Sequence, residues 1–563
     1  MKYMKNCKGL FGFWLLLVPM ASGASVLFSL GLEPLINVAA VKEEAHFARY
    51  LLLELLFAIA DLSAHYFQKI CRERLRYFYV TGLKRDCFDA IMDRRVSDFY
   101  EQPVSAYMSV LNRDVDKLSL NVFDSACGFY RVAVGFGIHL YAVFRVNPYL
   151  VVMNVAFSFA SACIPRFFEK RLIAAQNESS RRSAEYYAGL NDCFNGFATI
   201  KTFNVSAVMR ERQERANRRL EEANYRSTGK NYGVSCISML CTNIGYVLTI
   251  GAGVYFTLIG KMTVGQVIAV SQLMGGLAVP FEELPALIAN YKSVADVRQK
   301  LLTLIKSCSG EGCEGDDYED ESFEDGNCSD ESREDLDEPL KAIELKNVSF
   351  RFEKQEKGFE KLSYVFEAGR KYIMLGESGS GKSTLAKLLS DFYRCDTGQI
   401  TINHRNIRKL SEASLYRYIN YIEQRVFLFN DTLRSNITMY REYPQTEIEK
   451  AVRLAGLKAL VERLSEGLET RIEGNGVNFS GGELQRIAIA RAILAKAQFI
   501  IFDEVTANMD SALAAEMERG ILQLEHTGVL YITHKCSREL LEAGDRIIIM
   551  KDWRILTERD YSE

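Results

Sequence analysis

No C-x-x-C pair occurs among the 13 cysteines of this 563-residue chain. The usual spacing of a zinc site is therefore missing. Most thiols lie in apolar or cytoplasm-facing stretches, which fits reduced structural cysteines better than a disulfide framework. Basic residues are nearly lacking from Glu311 to Glu338, where fifteen Asp/Glu accompany one base, Arg333. Apolar residues are scarce there too. The stretch Ser307–Pro339 cannot bury enough surface to fold and reads as an acidic disordered linker, with a regulatory or metal-binding segment as the alternative. Its Cys308, Cys313 and Cys328 are not spaced like zinc ligands. The acidic segment carries −14, so the rest of a chain of net charge −3 carries +11. A basic body suits a membrane protein with cytoplasmic Lys/Arg, and a basic nucleic-acid surface is the competing reading.

The length suggests about three or four domains at ~150 residues each. Hydrophobic residues make up 48% of the chain, close to the globular norm, so clustering decides how they are read. They cluster in the N-terminal half. After Lys2, Lys5 and Lys8 comes the apolar run Leu10–Leu30. It imitates a signal peptide, with small residues at Ala21-Ser22-Gly23-Ala24. It is also ~20 residues long, enough to cross hydrocarbon, and reads as an uncleaved first span. Further spans are expected at Ala48–Phe67, Leu120–Phe144, Tyr149–Arg166, Ser235–Leu258 and Val264–Ile288, six in all. The turns after spans one, three and five are short: Gly31–Phe47, Arg145–Pro148 and Ile259–Thr263. The connections after spans two and four are long, largely helical and rich in Arg/Lys. Positive-inside bias places them and both termini in the cytoplasm. Glu54, Asp61, Arg131 and His139 fall inside spans, and Glu282 and Glu283 near the end of the sixth. A charge at that depth is costly and faces a cavity or a partner. Glu54, Asp61 and Arg131 are thus candidates for a polar translocation path, or for structural pairing such as an acid with Arg131.

From Leu340 the pattern is soluble α/β. Strand-like runs are Ile343–Phe352, Tyr372–Leu375, Gln399–Ile402, Phe499–Phe502, Gly528–Ile532 and Arg546–Met550. Helices are expected at Glu447–Ala455 and Gly482–Ala495. Between a strand and the helix Ser383–Leu389 lies Gly376-Glu377-Ser378-Gly379-Ser380-Gly381-Lys382-Ser383-Thr384, a phosphate loop of the form G-x-x-x-x-G-K-[ST]. Its glycines let backbone N–H groups wrap phosphate oxygens, and the helix N-terminus adds its positive end. Lys382 supplies a point charge and Ser383 a hydroxyl for Mg²⁺. The apolar run Phe499–Phe502 ends in Asp503-Glu504, a Walker B arrangement. Asp503 is expected to hold Mg²⁺ and Glu504 to polarise the attacking water. His534, after another apolar strand, is placed to contact the γ-phosphate. Phe479-Ser480-Gly481-Gly482-Glu483 opens a second helix and makes a second phosphate cap. Two caps in one chain point to ATP held between two chains, so that closing the sites becomes motion.

These residues resemble the nucleotide-binding domain of ATP-binding cassette (ABC) transporters from about Leu340 to the C-terminus. The resemblance makes Phe479–Glu483 the signature, Gln424 the Q-loop glutamine and a metal ligand beside Ser383 and Asp503, Ala507-Asn508-Met509-Asp510 the D-loop, and His534 the switch histidine. It makes Phe352 the aromatic that stacks on adenine. The signature starts with Phe479 where the family usually has Leu and ends in Glu483 where it usually has Gln. Glu473 sits one place early for the family's glutamate before the signature. The first half is similar to the exporter-type transmembrane domain. Ser105-x-Tyr107-x-Ser109-x-Leu111-x-x-Asp114 resembles the first coupling helix, and Asp192-x-x-x-Gly196-x-x-x-Ile200-Lys201-x-Phe203 the second.

The expectation is therefore an all-α polytopic membrane domain, 1–306, an acidic linker, 307–339, and an α/β P-loop NTPase, 340–563. Its function is ATP-driven export, with ATP and Mg²⁺, by alternating access in a dimer of half-transporters. A homodimer is expected and a heterodimer is the alternative. The partners are membrane lipid and a substrate the sequence does not name, with no nucleic acid. The expected location is a bacterial plasma membrane, since no organelle-targeting extension is evident. No peptidase domain precedes the spans, which argues against an exporter that cleaves leader peptides. A soluble ABC ATPase acting on DNA or ribosomes would need no spans. An ATP-gated channel or regulatory subunit would differ by uncoupled ion flux.

Overall fold

The computed structural model describes residues 7–41, 44–306, 335–352, 357–474, 476, 479–506, 511–522, 524, 526–534 and 538–560. The chain forms two compact units. The first is Met1–Ala90 with Ser105–Ser307, and the second is Ile91–Val104 with Cys308–Glu563.

The first unit is helical. Among the described residues, five helices are long and apolar enough to cross a membrane: Lys8–Val38, Val104–Val146, Pro148–Asn195, Ser206–Leu258 and Val264–Lys292. The second expected span falls in the helix Glu44–Met92, which is not among the five. Its apolar run is broken by Glu54 and Asp61. Polar residues set the sharp turns. The Asn147 side chain accepts from the Tyr149 N–H, with Pro148 at the first helical position. Thr263 and Gln266 form a capping box ahead of Val264–Lys292. Pro148–Asn195 has 48 residues and Ser206–Leu258 has 53. At about 1.5 Å per residue each exceeds twice the ~30 Å of hydrocarbon, so both continue well beyond a bilayer. The short helix Phe197–Thr202 joins them, within the stretch that resembles the second coupling helix. Trp14, Leu17, Val18, Cys71, Leu75, Phe123 and Cys127 make one buried cluster of this unit.

The stretch expected to form the first coupling helix, Ser105–Asp114, instead opens the long helical run Val104–Val146, with π turns at Val110–Asp114 and Ser119–Phe123. The separate short helix lies earlier, at Val96–Tyr100, and belongs to the second unit.

The second unit is built on two sheets. Strands β1 (Ala342–Arg351), β2 (Gly358–Glu367), β4 (Thr397–Ile402) and β5 (Arg405–Asn406) form an antiparallel sheet in the order β2-β1-β4-β5. Strands β3 (Lys371–Leu375), β6 (Ile419–Ile422), β7 (Phe499–Asp503), β8 (Gly528–Thr533), β9 (Arg546–Lys551) and β10 (Arg554–Asp560) form the other, in the order β10-β9-β3-β8-β7-β6. All its pairings are parallel except β10 on β9. Parallel strands covered on both faces read as unbroken apolar runs, and β7 and β8 are buried at every residue.

Most of the acidic stretch, 307–334, lies outside the described residues, Cys308, Cys313 and Cys328 included. Its last residues belong to the second unit rather than to a linker. Leu336 is buried in the core, its N–H donates to Ser414 Oγ at 2.9 Å, and the Tyr418 hydroxyl donates to its carbonyl at 2.7 Å. One apolar residue with satisfied backbone groups is enough to seat the end of an otherwise acidic run.

Candidate nucleotide-binding and hydrolysis site

In a parallel sheet the strands' carboxyl ends share one edge, and the loops leaving them form a crevice. Here β3 leads into Gly376–Gly381, β6 into Gln424, β7 into Glu504 and β8 into His534. The helix Lys382–Leu389 starts on Gly381, whose φ is +99°. Gly379 has φ +81°. A Cβ at Gly381 would meet Trp553 at 2.9 Å and Phe359 at 3.1 Å, so both conformation and space require glycine there. The Trp553 N–H closes the loop from behind by donating to the Ser380 carbonyl at 3.1 Å.

Lys382 is buried and its ammonium donates to the Gly376 carbonyl at 2.7 Å and the Glu377 carbonyl at 2.8 Å. Burial lowers its pKa, and Glu504 and Asp503 oppose that shift. Phosphate oxygens would compete for the same protons. Ser383 Oγ donates to Asp503 Oδ1 at 3.0 Å, and the Tyr421 hydroxyl donates to Asp503 Oδ2 at 2.9 Å. Burial first, then the Asp503 charge, pushes the Tyr421 phenol far above its usual range, so it stays a donor.

Glu504 stands at φ +53°, a conformation costing a non-glycine residue about 1 kcal/mol. Its N–H donates to the Ile532 carbonyl at 3.0 Å. The turn presents the carboxylate to two partners. Gln424 Nε2 donates to Glu504 Oε2 at 3.1 Å, and His534 Nε2 pairs with Glu504 Oε1. His534 Nδ1 lies 3.0 Å from the Gly376 carbonyl. The fold thus brings two bonded sets side by side, Gly376, Lys382, Gln424, Glu504 and His534 in one and Ser383, Asp503 and Tyr421 in the other.

The oxygens of Ser383, Asp503 and Gln424 are hard donors of the kind Mg²⁺ takes. Gln424 donates an amide N–H to Glu504 at 3.1 Å, and its carbonyl oxygen would be the atom to face an ion. Among the described residues no group of three or more His, Cys, Asp or Glu side chains can hold a metal. An ion on this set would complete its shell with nucleotide oxygens and water.

Ser480 caps the helix Gly481–Ala495 in a reciprocal box with Glu483. The Ser480 N–H donates to Glu483 Oε2 at 2.7 Å, and Arg463 donates to Glu483 Oε1 at 2.7 Å. Burial raises the Glu483 pKa, but the bonds from Ser480 and Arg463 outweigh it and hold the carboxyl below its usual range. The unusual Glu at the end of the signature is therefore held as a carboxylate by its own turn and by Arg463 from the helix Lys458–Arg463. Phe479 packs part-buried against the core.

Phe352 is part-buried against Phe350, Tyr393 and Trp553, with ring centroids 4.9, 5.7 and 6.3 Å away. Asp510 and the rest of 507–510 lie outside the described residues. In the first unit, Arg131 pairs with Glu283, not with Glu54 or Asp61. Asp61 Oδ1 lies 3.5 Å from His65 Nε2. Glu54 is buried with no hydrogen-bond partner among the described residues. It faces Gly31, where an added Cβ would stand 2.2 Å from its Oε2.

Sequence reading missed Tyr421, Trp553, Arg463 and Arg491. Arg491, on the signature helix, donates to the Phe427 carbonyl at 2.7 Å and to Asn436 Oδ1 at 2.9 Å, tying that helix to the chain beyond Gln424. Only its spacing on the helix could have drawn attention to it. Tyr421 sits in a four-residue strand that carries no pattern of its own.

A phosphate loop, an acid pair ending a buried strand, a histidine after the next strand and a second phosphate cap define a nucleotide-hydrolysing unit. It follows a helical unit long enough to span a bilayer. Two family models match: the ABC transporter transmembrane region over residues 11–281, and ABC transporter over residues 359–507. Together they span more than half of the chain. It belongs to the ABC transporter family, as a half-transporter of the exporter type. It is a transport-coupled ATPase that binds ATP and crosses the membrane several times.

Among its relatives is the ATP-dependent lipid A-core flippase of Salmonella typhimurium, 26% identical over 86% of this chain and 80% of the relative. The ATP-dependent lipid A-core flippase of Haemophilus ducreyi is 25% identical over 94% of this chain and 89% of its own. The fold is that of a solved bacterial Atm1-family ABC exporter with ATP bound, at TM-score 0.78 and 20% identity. That likeness covers 99% of this chain and 95% of the other.

Proposed function

We propose that this chain is one half of a homodimeric exporter in a plasma membrane, with both termini cytoplasmic and six spans. Two ATP molecules lie between its two copies, and the cargo is an amphipathic lipid. The supporting observation is that four strand ends bring Gly376–Ser383, Gln424, Asp503-Glu504 and His534 to one sheet edge, where hydrogen bonds and an ion pair join them in two adjacent sets. The lipid reading rests on the relatives named as flippases.

Each residue has one task. Gly376–Thr384 wraps the phosphates with backbone N–H groups, and Lys382 exchanges its carbonyl partners for phosphate oxygens. Ser383, Asp503 and Gln424 would hold Mg²⁺, which neutralises phosphate charge when bound. Glu504 accepts the proton of the attacking water, and His534 keeps its carboxylate aimed at that water. Phe352 faces the adenine. Ser480 and Gly482 of the second copy close the nucleotide from the far side, and Asp510 belongs to the same interface. Closing draws the two ATP-binding units together, and hydrolysis lets them part. Glu54, Asp61 and Arg131 remain the proposed polar positions along the cargo path.

The test is ATPase activity of the purified chain in lipid vesicles. Glu504→Gln should lower turnover by about 100-fold or more, the scale of a lost general base, while ATP still binds. An amphipathic lipid should stimulate the parent chain more than peptides do. Unchanged hydrolysis in Glu504→Gln would overturn the base assignment. A well-folded parent chain without activity would replace the homodimer with a heterodimer.

A further inference from the structure

Asp503 is held at both oxygens. Ser383 Oγ takes Oδ1 at 3.0 Å, and the Tyr421 hydroxyl takes Oδ2 at 2.9 Å. Ser383 belongs to the phosphate loop. Tyr421 comes from the neighbouring strand β6, three residues before Gln424. Each carboxylate oxygen thus accepts one hydrogen bond and keeps a lone pair, and the two bonds together fix the orientation in which Asp503 can meet an ion.

The ring behind that hydroxyl has its own support. Phe392 meets Tyr421 edge to face, centroids 5.4 Å apart at 86°. The other side of Phe392 meets Tyr100, centroids 6.1 Å apart at 32°. Tyr100 ends the short helix Val96–Tyr100, which is anchored on the same turn by two ion pairs. Arg95 Nη1 lies 2.8 Å from Asp391 Oδ2, and Arg394 pairs with Asp98. Arg95 also donates to the Leu410 carbonyl at 2.8 Å. The turn Asp391–Arg394 ends the helix that begins with Lys382, so it reads Val96–Tyr100 through a charge, a ring and a second charge. The ring alone continues inward, through Tyr421 to Asp503.

We propose that Tyr421 is a positioning residue for Asp503, and that Phe392 and Tyr100 set its hydroxyl, so that the seating of Val96–Tyr100 tunes the affinity of the site for its divalent cation. This rests on the assignment of Asp503 as a metal ligand. Segment 91–104 links two long helices of the membrane-spanning half in sequence. Movement there would reach the metal ligand through three rings without passing through the phosphate loop.

The experiment uses the full chain in vesicles, with Mn²⁺ as the probe, ATP present and the Glu504→Gln background to prevent turnover. Bound Mn²⁺ is read by electron paramagnetic resonance. Binding of a fluorescent ATP analogue in EDTA is read in parallel. Tyr421→Phe removes only the hydroxyl. It should weaken Mn²⁺ about fivefold, the equivalent of one net hydrogen bond, and leave metal-free nucleotide binding within about twofold. In the Glu504-intact chain it should raise the Mg²⁺ concentration for half-maximal ATPase and leave the rate at saturating Mg²⁺ nearly unchanged. Phe392→Leu should shift Mn²⁺ in the same direction by a smaller factor, and add nothing on top of Tyr421→Phe.

Unchanged Mn²⁺ affinity in Tyr421→Phe would overturn the proposal. So would an equal loss of metal-free nucleotide binding, which marks a general structural role. Full additivity with Phe392→Leu would overturn the ring connection. Asp503→Asn is the control for the underlying assignment. If it leaves Mn²⁺ untouched, the metal-ligand reading fails rather than the role of Tyr421.

Discussion

Gly381 shows how narrowly single residues are constrained at this site. Its φ of +99° lies where L side chains rarely go, and a Cβ would press on Trp553 and Phe359. Gly381→Ala should cost about 1–3 kcal/mol of local strain, expressed as weaker ATP binding. A titration with a fluorescent ATP analogue should show at least a tenfold loss, with a smaller fall in the melting temperature. Unimpaired binding would mean that Trp553 and the loop relax freely. The glycine, Lys382 and Ser383 were legible in the sequence because the motif is short and contiguous, and a strand and a helix flank it. Asp503, Glu504 and His534 were legible because each ends an apolar run. Tyr421 and Trp553 were not. Each acts through a partner more than 80 residues or a full sheet away, and neither sits in a local pattern. The Arg131–Glu283 pair came closer, since a charge inside an apolar span demands a partner even when the sequence does not say which.

At the scale of elements, the seating of Val96–Tyr100 depends on a buried ion pair. Burial raises the Asp391 pKa, and Arg95 opposes the shift without reversing it. An acid whose folded pKa is raised costs stability above that pKa, and the cost fades as pH falls through it. Arg95→Met removes the largest compensating charge on Asp391, leaving only Arg408 and Arg394, and raises it further. The variant should lose about 3 kcal/mol near pH 8, the scale of a broken buried pair, and measurably less near pH 5.5. Thermal unfolding of the second unit at the two pH values reads the difference. A loss that grows on acidification would sink this account. This helix was not singled out in the sequence because it has only five residues, while the family-like spacing lies in Ser105–Asp114, where a long helical run begins. The strands β2, β5, β6 and β10 were also missed, β5 being only two residues long. The charged residues of β2 and β10 and the shortness of β6 hide the two-residue period that betrays a half-buried strand. The buried strands β3, β7 and β8 were plain, because parallel strands covered on both faces have no polar side to interrupt them.

At the scale of the whole molecule, the two phosphate caps decide how copies cooperate. If Lys382 of one copy and Ser480 of the other serve the same ATP, two inactive variants should repair each other. Lys382→Ala and Ser480→Arg, each silent alone, should recover up to about a quarter of parental ATPase when mixed before dimer formation. Half of the dimers would be mixed, and each would hold one intact site of two, with both defects collected in the other. No recovery in a verified mixed dimer would place both caps on the same nucleotide within one chain.

The second unit is also discontinuous in sequence. A fragment cut at Asp335 would carry every residue of the nucleotide site, and a sequence alignment would call it a whole domain. It would lack Arg95, Asp98 and Tyr100, leave Asp391 buried beside a missing guanidinium, and bare one face of Phe392. The ATP-binding unit therefore includes a segment that lies in sequence within the other half of the chain. Its boundary is a surface in space, and no single point along the polypeptide marks it.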